Sequence, residues 1–346
     1  MRVLTRAELT AALAVRQSLH ERAHAAPADA IRRLTPLQAQ HPTAPHIALA
    51  ARLHDFAPTH LDAAIDDRAV VKCTLLRTTL HLTTADDFPA YTQVARQARL
   101  RTLRAAHPDL DLERLTRDLT QWLRTPRTNP EIRERVSSHP GAPQGPNQPI
   151  LAARTWVPLV QLPPGGHWKD TTRGARYVLD PRPLPDPREA GALVLTRYLE
   201  AFGPASRRDV AAWAGVAQRD LPFERVETVA YRDEKGTELL DLPGAPLPPG
   251  DLPLPPRFLG RWEQPLLAYA DRDRIIPPDL QPLKLTLSGD QTLLVDGRVV
   301  ASWWLRKGTL ELKPHTDFRR TGIREEGLRT ARFCAPHHKP HQLVEI

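Results

Sequence analysis

Gln38 and Gln40 are the residues whose type and spacing most directly suggest chemistry. They stand in Leu34-Thr35-Pro36-Leu37-Gln38-Ala39-Gln40-His41-Pro42, one residue apart and bracketed by two prolines. On a helix, side chains two positions apart diverge, whereas in extended chain they point the same way. His41 precedes Pro42, which biases it toward extended backbone, so the helical run ahead of it is expected to stop here. The two amides would then face one small volume, where their carbonyl oxygens can hold one water. A neutral amide orients water but does not deprotonate it as a carboxylate would. The plain alternative is two solvated residues at a helix end, a common fate of so short a pattern.

Other candidates are weaker. Lys72 and Arg77 lie on an apolar β-type segment, and Arg207 and Arg208 open a helix. Basic residues so arranged suit phosphate contacts, and a solvated basic face explains each of them as well. Cys334, His337, His338 and His341 are of metal-ligating type, but one cysteine among prolines reads better as a polar tail, and no metal is expected. Asp86 and Asp87 read as first-turn acids at a helix N-terminus. Trp303 and Trp304 read as alternate core and surface positions of a strand. No Gly-rich phosphate loop, G-x-S-x-G elbow or H-E-x-x-H pair occurs, which argues against nucleotide hydrolysis and acyl transfer.

The elements that must carry these residues come from a chain of 346 residues, long enough for two or three domains. Lys and Arg number 48 against 40 acids, an excess of eight that suits a polyanionic partner. Two cysteines rule out a disulfide framework and suit a reducing cytoplasm. No apolar leader or run of about twenty apolar residues suggests a membrane. Proline, at 36 residues, is about twice its usual share, which predicts short elements joined by stiff turns.

Thr5 and Glu8 form a capping-box pattern ahead of a first helix. Further helices are expected over 28–37, 46–56 and 60–66, then one or two strands over 70–82, and a helix started by Thr84 and Asp87. Several helices followed by a short β element is the order of a winged-helix unit. The order recurs with helices over 110–123 and from Asn129 to 136, a loop over 137–148 and a strand over 156–162. A third copy has helices over 188–202 and 207–214, the latter capped by Ser206 and Asp209. Gly215 makes a turn into a helix over 216–221, a strand follows over 226–231, and a hairpin turn falls at 233–236. The stretch 242–256 reads as a proline-rich linker. Beyond it, strands over 283–287, 292–295, 299–305 and 309–312 predict an antiparallel meander, a small sheet or barrel. The expected architecture is α+β: winged-helix units over 1–90, 91–187 and 188–241, a linker over 242–256 and a β domain over 257–346.

Four stretches carry a family resemblance. They are Leu37 to Pro42; Leu76-Arg77-Thr78-Thr79-Leu80-His81-Leu82 running into 84–88; Phe258-Leu259-Gly260-Arg261-Trp262-Glu263 with 268–272; and Leu294-Val295-Asp296-Gly297-Arg298-Val299. Together the sequence resembles the crosslink-repair DNA glycosylases of the AlkZ/YcaQ type. The resemblance implies three tandem winged-helix units and a C-terminal β domain forming a curved DNA cradle. It also implies a catalytic Gln-x-Gln motif, here Gln38 and Gln40, with Thr79 and His81 joining Lys72 and Arg77 as wing contacts to DNA. Many relatives are expected to carry a glycine near Thr78, where this chain has none. The implied activity is monofunctional hydrolysis of the N-glycosidic bond of cationic N7- or N3-alkylated purines in double-stranded DNA. Bulky natural-product adducts and interstrand crosslinks enter as substrates by resemblance alone. The expected protein is a cytoplasmic monomer that needs no cofactor. The competing reading is a non-catalytic winged-helix DNA-binding protein such as a transcriptional regulator.

Overall fold

A computed structural model describes residues 1–170, 174–283 and 289–346. β1 (Val3–Leu4) leads into α1 (Arg6–Arg16), which starts at the expected Thr5–Glu8 capping box. The chain then passes through α2 (Pro27–Leu34), β2 (Leu37–Gln38), α3 (Ala44–Ala50), α4 (Pro58–Asp66), β3 (Val70–Thr74) and β4 (Leu80–Thr84). A long α5 (Phe88–Ala106) carries it to a second pass of the same order: α6 (Leu112–Trp122), β5 (Arg127–Thr128), α7 (Asn129–Ser137), α8 (Gln148–Trp156), β6 (Leu159–Gln161) and β7 (Arg176–Leu179).

The third pass holds α9 (Pro187–Phe202), α10 (Arg207–Ala214), two short 3₁₀ turns, β8 (Val229–Asp233) and β9 (Glu238–Asp241). Its first strand shrinks to one bridge between Ala205 and Leu240. The C-terminal part comprises β10 (Arg257–Leu259), α11 (Gln264–Leu267), β11 (Gln291–Val295), β12 (Arg298–Arg306), β13 (Thr309–Pro314), α12 (Ile323–Cys334) and β14 (Gln342–Glu345).

Where the elements differ from expectation, local chemistry explains it. The helix expected over 28–37 stops at Leu34 because Thr35 turns to φ +69° and Pro36 has no N–H to donate, leaving Leu37 and Gln38 extended. Thr128, not Asn129, caps α7: its N–H and hydroxyl both bond the Glu131 carboxylate at 2.7 Å. Trp156 closes α8 instead of opening a strand. The segment 216–221 makes only a single 3₁₀ turn, Gln218–Asp220. α12 lacked a readable start, since it follows Gly322 in left-handed conformation with no side-chain cap. The strand expected over 283–287 falls almost wholly outside the described residues.

The first two passes merge into one six-stranded sheet, ordered β2-β4-β3-β6-β7-β5 and antiparallel at each junction. β1 pairs parallel to β8 beside β9, so the N-terminus completes the third pass. The C-terminal sheet, β10-β11-β12-β13-β14, is antiparallel except for its last pair, where β14 runs parallel to β13. That parallel edge amends the expected all-antiparallel meander. Within it Trp303 is fully buried and Trp304 partly exposed, the alternation a strand imposes.

One large apolar core joins α1, the β3–β4 hairpin, α5, α9, α10 and the β10–β12 region. Residues 242–256 belong to it as well: Leu254 is buried, and the Pro246 carbonyl accepts from Arg16 at 2.8 Å. Among the described residues, two bidentate arginine–carboxylate pairs are buried in the N-terminal part. Arg16 grips Asp241 through bonds of 2.7 and 2.8 Å, and Arg52 grips Glu263 through bonds of 2.8 and 3.1 Å. Both are two-pronged, which satisfies each carboxylate in a dry setting.

Candidate active site

β2 is an edge strand, and its two residues decide what the sheet presents there. Gln38 pairs with His81 of β4, and His81 pairs in turn with Cys73 of β3. Paired residues share a sheet face, so Gln38, His81 and Cys73 form a row across three strands. The Ala39 N–H donates to the Leu80 carbonyl at 2.8 Å, which makes 39/80 a hydrogen-bonded rung. Gln38 and His81 therefore occupy the adjacent non-bonded rung, where side chains come closest.

The two glutamines are not equivalent. Gln38 is only 8% exposed, and its Oε1 has no hydrogen-bond partner among the described residues. Gln40 is exposed, and its Oε1 accepts the Leu80 N–H at 3.0 Å. Only an oxygen can accept there, so the bond fixes which way the Gln40 amide faces. Its NH₂ group and remaining lone pair are left to solvent. One amide is thus a buried acceptor and the other an anchored surface group.

His81 is fully buried. Its Nδ1 lies 2.9 Å from the Thr79 carbonyl, which accepts only, so Nδ1 carries the proton and Nε2 is a bare acceptor. Nε2 has no partner among the described residues. Burial, then the Arg77 cation, push its pKa down to about 3, against a small opposing effect from the Thr79 carbonyl. The imidazole is neutral at physiological pH. Burial pushes the Cys73 thiol far up, so no thiolate nucleophile is available. Burial also lowers Arg77 and Arg99 to about 10, which leaves both charged at neutral pH.

The hairpin expected to act as a DNA-contacting wing has buried strands, and only its tip, around Thr78, is open to solvent. β3 is paired on both sides, and its Lys72 is 1% exposed in an ion pair with Asp170 at 2.8 Å. Arg77 at the hairpin tip donates to the Trp213 carbonyl of α10, and the tip packs against Gly215. Lys72 is thus fully claimed by tertiary pairing, whereas Arg77 is part-buried and, among the described residues, bonds Trp213 through one guanidinium nitrogen only. His81, like Lys72, is interior. Thr79 is half-buried, its hydroxyl donating to the Leu76 carbonyl at 3.1 Å. Arg207 and Arg208 are exposed, with Arg207 stacked 4.6 Å from the Phe223 ring. They lie on α10 of the third pass, the helix whose Trp213 carbonyl accepts from Arg77.

Sequence reasoning passed over the arginines of α5 and its neighbours. Two open grooves meet at Arg96, Thr116, Thr120 and Arg124, and Arg68, Arg104 and Arg117 extend them. The repeated arginines of α5, Arg96, Arg99 and Arg104 among them, were the available signal. Among the described residues, Cys334, His337, His338 and His341 assemble no cluster able to hold a metal. No helix among them is long and apolar enough to cross a membrane.

The family model for AlkZ-like DNA glycosylases matches residues 31–333, which span the glutamine strand, all three passes and most of the C-terminal sheet. The chain belongs to this family. Its fold is that of the AlkZ-like DNA glycosylase AlkZ from Streptomyces sahachiroi, with a TM-score of 0.82, 19% identity and 100% of each chain covered. No curated protein matches it by sequence. An AlkZ-like chain of this fold sets the glutamine pair at the edge of a sheet built jointly by two repeats.

Proposed function

We propose that this AlkZ-like chain is a monofunctional DNA glycosylase acting on double-stranded DNA whose purines carry a cationic N7 or N3 alkyl group. The observation that carries this reading is the buried, unpartnered Oε1 of Gln38 beside the anchored amide of Gln40. Alkylation leaves the base positively charged, so the C1′–N bond breaks with its electron pair neutralising the departing purine. The sugar passes through an oxocarbenium-like state, which a positioned water captures by forming a C1′–O bond and releasing a proton. Orientation and electrostatics carry such a step more than a strong base does. A neutral amide acceptor suits it, and normal purines, which leave reluctantly, should be poor substrates.

The first two passes of helix–strand–helix–helix–strand–strand, and the third with its first strand cut to a bridge and a helix cut to 3₁₀ turns, are winged-helix units in this reading, taken over 1–90, 91–187 and 188–241. The stretch 242–256 connects them to a β domain over 257–346. The arginine grooves around Arg96 and Arg124 supply phosphate contacts in place of the buried hairpin strands. Bulky adducts and interstrand crosslinks are the extension of the same chemistry to larger substrates.

The test is base release from a duplex containing a single 7-methylguanine, read by alkaline cleavage at the abasic site. Wild type should release the base, and Gln38→Ala and Gln40→Ala should each lose about 100-fold or more in rate while retaining DNA affinity. If wild type releases neither this base nor a nitrogen-mustard crosslink, the enzyme reading is wrong and a non-catalytic DNA-binding protein is left.

A further inference from the structure

The glutamine motif leaves one polar group of the row unused. His81 is the cross-strand partner of Gln38, on the same sheet face and on the closely spaced rung. It is fully buried, and its Nε2 is an acceptor with no partner among the described residues. Gln38 Oε1 is a second buried acceptor with none. Two acceptors cannot bond each other, and a buried polar group without a partner costs on the order of a whole hydrogen bond. A molecule with two donor hydrogens and a small volume satisfies both. Water is that molecule.

We propose that Gln38 Oε1 and His81 Nε2 together hold the hydrolytic water by its two hydrogens. This deepens the glycosylase reading and rests on it. With both hydrogens engaged, the oxygen lone pairs point away from the protein acceptors, toward C1′. After attack, the new C1′–O bond leaves a positively charged oxygen, and one of its protons passes to solvent. His81 then has a task a DNA contact would not give it, because it never meets the phosphate backbone.

The surroundings of His81 fit that task. The Thr79 carbonyl holds the Nδ1–H at 2.9 Å and so keeps Nε2 free of a proton. The cations of Arg77 and Arg99 act on the ring electrostatically and, with burial, oppose its protonation. Cys73, across from it on β3, sends its Sγ toward the His81 carbonyl at 3.9 Å, not toward the ring. Gln40, with its oxygen tied to Leu80, is left to meet the DNA with its NH₂ group.

The experiment uses the full chain on the 7-methylguanine duplex in aqueous methanol. Methanol has one hydroxyl hydrogen and cannot satisfy two acceptors. Its attack would form a C1′–OCH₃ bond, break C1′–N and release the hydroxyl proton, giving a methyl glycoside that alkali does not cleave and that strand mass identifies. Wild type should give almost only the abasic product. His81→Leu should slow release about 100-fold and raise the methyl glycoside share several-fold. His81→Gln, whose terminal oxygen reaches about as far as Nε2, should restore the preference for water. An unchanged rate and product ratio in His81→Leu would overturn the proposal while leaving the glycosylase reading intact, provided Gln38→Ala abolishes release.

Should His81→Leu fail to fold, the wild type still decides by nitrogen NMR of its labelled histidines at pH 5. His81 should show a proton on Nδ1 and none on Nε2, and a proton on Nε2 would sink the idea. That readout does not depend on activity, so loss of the glycosylase reading and loss of this one are distinguishable.

Discussion

The two halves of the six-stranded sheet have the same order of elements and opposite characters. In the first, β3 is buried along its length, β4 nearly so, and the edge strand β2 carries the buried Gln38. In the second, the edge strand β5 is half-exposed and carries Arg127, whose guanidinium stacks 4.7 Å from the Trp122 ring. Where Gln38 meets His81 in one half, Arg127 meets Tyr177 in the other. One scaffold thus supplies a dry edge able to hold a water and a wet, basic edge suited to phosphate. The difference comes from packing. β3 and the hairpin tip join the large core of α5 and α9, while β2 packs in a smaller cluster with α2, α3 and α4. The second half adds only Val160 and Val178 to the large core and closes mostly over its own cluster.

The comparison can be broken most forcefully through the ion pairs. Arg52–Glu263 is 1% exposed on both sides, so Arg52→Ala strands a buried carboxylate and should cost about 3–5 kcal/mol in urea unfolding. In the second half Arg135–Asp118 is solvated, and Arg135→Ala should cost about 0.5 kcal/mol or less. Similar losses at both sites would show that the halves are equally braced.

Acid should separate them next. His81 titrates near 6.5 when unfolded and is held down at about 3 when folded. Between those values the unfolded chain binds the extra proton, so stability is full above about pH 6.5 and falls as pH drops toward 3. At pH 4 the loss should be about 3 kcal/mol, and His81→Gln should flatten that limb. A wild-type stability that does not vary from pH 7 to 4 would show that His81 is not held neutral.

The smallest effect concerns the hairpin tip. Thr78 sits at φ +62°, a left-handed conformation that a β-branched residue adopts only under strain. Thr78→Gly should stabilise the fold by about 1 kcal/mol, read as a rise in Tm, with the sheet and the Gln38 row unchanged. Pinning of the tip by Arg77 and Gly215 supplies the restraint.

Much of the fold was legible because it is locally encoded. The capping boxes at Thr5 and Ser206, the Gly215 turn and the Asp296-Gly297 turn depend on residues within a few positions of each other. The glutamine motif was legible for the same reason, since Pro36 and Pro42 force extended chain around it. Less legible were α12 and β14, which have no local start signal, and the strand direction at the C-terminal edge.

By itself the sequence determined the order of helices and strands, the third repeat's caps and the pairing of two amides in extended chain. Only the tertiary structure decided that Gln38 is buried and Gln40 is not, and that His81 stands opposite Gln38. It alone decided that Lys72 is buried and that Arg77 bonds the Trp213 carbonyl. The physical reason is that cross-strand register and ion pairing join residues 40 to 140 positions apart, and no local preference encodes which of them meet.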